Sequence, residues 1–61
     1  MNVARRVLIN QAITILQGVL EEEQDSFDSM PEGLQESERG QNSQDSISSL
    51  EEAIQNLQEI A

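Results

Sequence analysis

The side chains in this sequence that could do chemistry are nearly all carboxylates. Twelve Asp and Glu residues stand against three arginines, and there is no His, Cys, Lys, Trp or Tyr. The usual nucleophile–base pairs, imidazole catalysis and thiolate chemistry have no residues to run on. Paired carboxylates such as Glu51 with Glu52, or Glu22 with Glu23, have the right groups for glycoside hydrolysis. That reaction needs a cleft in which one carboxyl stays protonated, and a narrow helical protein has little room for one. No Ca²⁺-binding loop, P-loop, dinucleotide glycine motif or zinc-ligand set occurs. The reading is a protein that is not an enzyme, with no cofactor and no metal.

What remains is surface chemistry. A formal net charge of -9 repels DNA phosphate and anionic lipid, so neither nucleic acid nor membrane is an expected direct partner. Acidic side chains at helical spacing can imitate a line of phosphates and occupy a basic groove on another protein. The candidates are Glu21, Glu22, Asp25 and Asp28, with Glu32, Glu36 and Glu38 following closely. Solubility is the plainer role for such charge. A small-nucleotide sponge is a further class, though Arg5, Arg6 and Arg39 would be its only cations.

The elements that position these groups start with residues 7–20, VLINQAITILQGVL, a stretch without charge. At about 100° of rotation per residue, Leu8, Ala12, Ile15 and Val19 form one helical stripe. Ile9, Ile13, Leu16, Leu20 and Phe27 form an adjacent one, while Asn10, Thr14, Gln17 and Glu21 lie opposite. The apolar face is wider than the ~100° stripe of an ordinary surface helix, so two neighbours are needed to cover it. Arg5 and Glu23 sit near the middle of that face, at its two ends. An antiparallel homodimer centred near Thr14 would set Arg5 of one chain beside Glu23 of the other. The polar interruptions, and the lack of a small-residue cleavage site, argue against a secretory signal. The apolar run also falls short of the ~20 residues that span a bilayer. The expectation is a core helix in a cytoplasmic protein.

Pro31 disfavours continuation of this helix, and Gly33 can adopt the positive φ of a tight turn. Phe27, Met30 and Leu34 would close the end of a core. Ser37 is a good N-cap for a second helix with Glu38 in its first turn. A later start is also open, because Ser49 and Glu52 make a capping box. Ile47, Leu50, Ile54, Leu57 and Ala61 repeat at alternating spacings of three and four, a narrow seam. Upstream that seam continues only as Ser43 and Gly40, so this end is expected to be the less stable. Folding at Gly33 sets Phe27 against Gly40, Leu20 against Ile47, Leu16 against Leu50, Ile13 against Ile54 and Ile9 against Leu57.

The run FDSMPEGLQESERG, preceded by LEEEQ and followed by SLEEAIQNLQEIA, resembles short acidic helical proteins encoded by bacteriophages of Gram-positive hosts. The likeness spans residues 20–61 and is most specific over residues 30–40. It implies phage provenance and a helical fold, and brings no activity or functional residues with it.

The expected fold is all-α, one antiparallel helical hairpin with a helix over about 3–28, a turn over about 29–36 and a helix over about 37–60. Two hairpins would pair into a four-helix bundle. The leading functional expectation is a phage accessory protein acting in the host cytosol. It would self-associate, as a dimer, and bind and inhibit a basic host protein, such as a nucleic-acid-binding or defence protein. The alternative is a structural or assembly subunit whose self-association is its function.

Overall fold

The computed structural model describes residues 1–61, and the fold is all-helical: α1 (Val3–Asp28), α2 (Glu32–Gln35) and α3 (Glu38–Ile60). Asn2 caps α1, its side-chain oxygen accepting from the Arg5 amide at 2.9 Å. That bond satisfies one of the donors that every helix start leaves open. On the outer face of α1, Asn10 Nδ2 donates to the Arg6 carbonyl at 3.0 Å, and Thr14 Oγ1 to the Asn10 carbonyl at 3.1 Å. These polar side chains are tied back onto their own helix.

At about 1.5 Å per residue, α1 and α3 would each run roughly 35–40 Å. The molecule measures 48 × 15 × 11 Å, so the two lie side by side rather than end to end. Their shared seam is small. Ile13 and Ile54 are its two buried apolar residues, at 6% and 7% exposure. Ile9, Leu16, Leu20 and Phe27 on α1, with Ile47, Leu50 and Leu57 on α3, are half-buried along it. A pair of helices has no third layer to close over such a seam, which is why so few side chains are fully covered.

Chain reversal differs from the expectation in two respects. Residues 29–36 hold a one-turn helix, α2, instead of a bare turn. No residue has positive φ, so Gly33 does not supply a left-handed step. The chain turns instead through extended backbone at Pro31, whose φ of -55 and ψ of 149 end one helix and start the next. The Pro31 carbonyl accepts from both Leu34 N and Gln35 N. Ser37 Oγ then accepts from the Gly40 amide at 3.4 Å and donates to the Leu34 carbonyl. Helix α3 therefore begins at Glu38, and Ser49 and Glu52 lie within it instead of capping a later helix.

Candidate functional site

Two surfaces carry what the sequence singled out, and the packing beneath each differs. At the turn end, Gly40 and Ser43 are two of only four buried residues in the chain. A Cβ on Gly40 would collide with the backbone carbonyls of Gln35 and Leu34. The register read from the sequence set Phe27 against this glycine; in the structure it is the α2 backbone that lies directly against it.

Gln35 ties the same region to α1, its Nε2 donating to the Phe27 carbonyl at 3.1 Å. That carbonyl also accepts from the Met30 amide, so the end of α1 is held by two donors. Ser43 Oγ donates to Glu23 Oε1 at 2.7 Å, a bond between α3 and α1. Weakness was expected here because the apolar seam gives out. Short polar and backbone contacts occupy the seam instead.

Glu23 is half-buried, and its side-chain partner lies in its own chain. Arg5, read with it as one half of a pair between copies, is exposed. Two grooves border Glu23. One, between α1 and α3, is lined by Val19, Glu23, Asp45, Ser46, Ser49 and Leu50 and has no basic side chain. The other includes Met30, Arg39 and Asn42. A phosphate ligand would meet at most Arg39 in either.

The acidic candidates Glu21, Glu22, Asp25, Asp28, Glu32, Glu36 and Glu38 are all exposed. Asp25 and Asp28 lie in the last turn of α1, which has no basic residue to offset the negative end of the helix dipole. No group of three or more acidic side chains is placed to hold a metal ion.

The second surface is the outer stripe of α1. Leu8 is 63% exposed, Ile15 67% and Val19 44%, with Ala12 half-buried between them. Helix α3 covers one stripe of α1 and leaves this one open. A Cβ on Gly18 would meet nothing within 4 Å. No helix is long and apolar enough to cross a membrane.

Compared with known protein families, curated proteins and solved structures, the chain matches none.

Proposed function

We propose that this is a non-enzymatic accessory protein, an antiparallel helical hairpin that dimerises into a four-helix bundle and binds a basic protein through its acidic turn end. The observation that carries the reading is the exposed stripe of Leu8, Ile15 and Val19. Aligned apolar side chains on a helix that already has one neighbour are the ordinary mark of a protein interface. A chain of 61 residues without cysteine also has few other ways to enlarge its core. Self-association through α1 leaves the turn itself free, where Glu32, Glu36 and Glu38 are exposed outside that helix. The likeness of residues 30–40 to phage proteins supports a phage origin and action in the host cytosol, and the acidic surface supports a basic host protein as the target, with inhibition as the outcome.

Light scattering at two protein concentrations and two salt levels tests the first half. A stable dimer is expected, and a folded monomer would overturn it. Changing Glu32, Glu36 and Glu38 together to Lys, all exposed and all outside α1, tests the second half. The dimer mass should hold while capture of a basic partner is lost. Full activity in that variant would leave self-association itself as the function.

A further inference from the structure

The stripe on α1 is self-complementary in only one orientation. Leu8 and Val19 lie equally far on either side of a midpoint between residues 13 and 14, and so do Ala12 and Ile15. A second α1 running antiparallel about that point therefore brings Leu8 against Val19 and small Ala12 against bulky Ile15. A parallel copy would stack Ile15 on Ile15 and leave Ala12 facing Ala12.

Charge selects the same orientation. Arg5 and Arg6 are the only ionisable side chains in residues 2–20, whereas Glu21, Glu22, Glu23, Asp25 and Asp28 crowd the far end of the helix. Parallel copies would set like charge on like at both ends, and antiparallel copies set opposite charges together.

The groove gives this a specific address. Arg5 and Glu23 occupy nearly the same angular position on α1, about five turns apart. A twofold axis crossing the two α1 helices keeps each flank of the stripe against the same flank of the other copy. Arg5 of the second copy then arrives on the flank where Glu23, Asp45 and Val19 line the cation-free groove. Ser43 already fixes Glu23 there through Oε1, which leaves the other carboxylate oxygen for the incoming guanidinium.

We infer that the occupant of the α1 stripe is a second copy of this chain, bound antiparallel, with its Arg5 seated in the groove beside Glu23 and Asp45. This rests on the self-association proposed above. It adds the register, Leu8 on Val19 and Ala12 on Ile15, and the groove that receives Arg5.

The absence of native cysteine makes the test clean. Leu8→Cys chains are mixed with Val19→Cys chains and treated with a short bismaleimide. Cross-linking between the two variants, with little within either alone, is the expected result. Cross-linking of Leu8→Cys to itself would overturn the antiparallel register while leaving self-association standing. A monomer by light scattering with no cross-link would overturn both.

Arg5→Glu and Arg6→Glu change the net charge equally, and both positions are exposed, so neither should unfold the chain. Arg5→Glu should weaken the dimer about fivefold at low salt, and Arg6→Glu distinctly less. Equal effects, or none at Arg5, would overturn the groove assignment.

Discussion

The turn end and the open stripe of α1 use opposite means. At the turn end the apolar seam runs out, yet two of the four buried residues lie there, Gly40 and Ser43. Directional contacts hold it: Gln35 on the Phe27 carbonyl, Ser43 on Glu23, and the α2 backbone against Gly40. Along the stripe the apolar side chains are present, but Leu8, Ile15 and Val19 face outward because α3 is one helix wide. Hydrophobic residues mark where burial is favourable, and only geometry decides whether one chain can achieve it. The turn end is complete within the chain. The stripe is not.

Four experiments would break or sharpen that contrast. The largest effect is expected from Ile15→Asp, which puts a charge at the centre of the stripe. Burying it uncompensated should cost the dimer about 3 kcal/mol or more, seen as monomer mass with the helical circular-dichroism signal retained. A dimer surviving this change would remove the stripe from the interface.

Gly40→Ala comes next. Alanine normally gains about 1 kcal/mol over glycine inside a helix. Here the clash with the α2 backbone should reverse the sign, for a net loss of about 1–3 kcal/mol in urea denaturation. A gain would mean that α2 does not press on α3.

Ser43→Ala removes the donor to Glu23 and should cost about 1 kcal/mol in the same assay. No loss would show that the bond merely replaces one to water. The smallest effect is expected from Gly18→Ala, at a helical site with nothing within 4 Å. It should stabilise by about 0.5–1 kcal/mol, the ordinary propensity gain, with dimer mass unchanged. A loss of dimer there would extend the interface beyond the stripe, to a close approach at Gly18.

Much of the local structure was legible in the residues. Ser37 before Glu38 signals the start of α3, and Ser37 Oγ does accept from the Gly40 amide. Asn2 before Val3 is an equally readable cap for α1, and its side-chain oxygen accepts from the Arg5 amide. The periodicity of Ile9, Ile13, Leu16 and Leu20 marked the face of α1 that turns toward α3. The turn was less legible. Gly33 suggested a left-handed step, but a single helical turn after Pro31 reverses the chain without one. The Gln35–Phe27 bond spans eight residues and has no signature in spacing.

Sequence by itself determined the two long helices, their N-caps, the two stripes of α1 and the separation of charge along it, because these follow from 3.6-residue periodicity and local hydrogen bonding. Only the tertiary structure decided why Gly40 has to be glycine, that Glu23 finds Ser43, and that a groove without a cation lies beside the open stripe. Those depend on which backbone passes over which, a distance set by packing that no local pattern encodes.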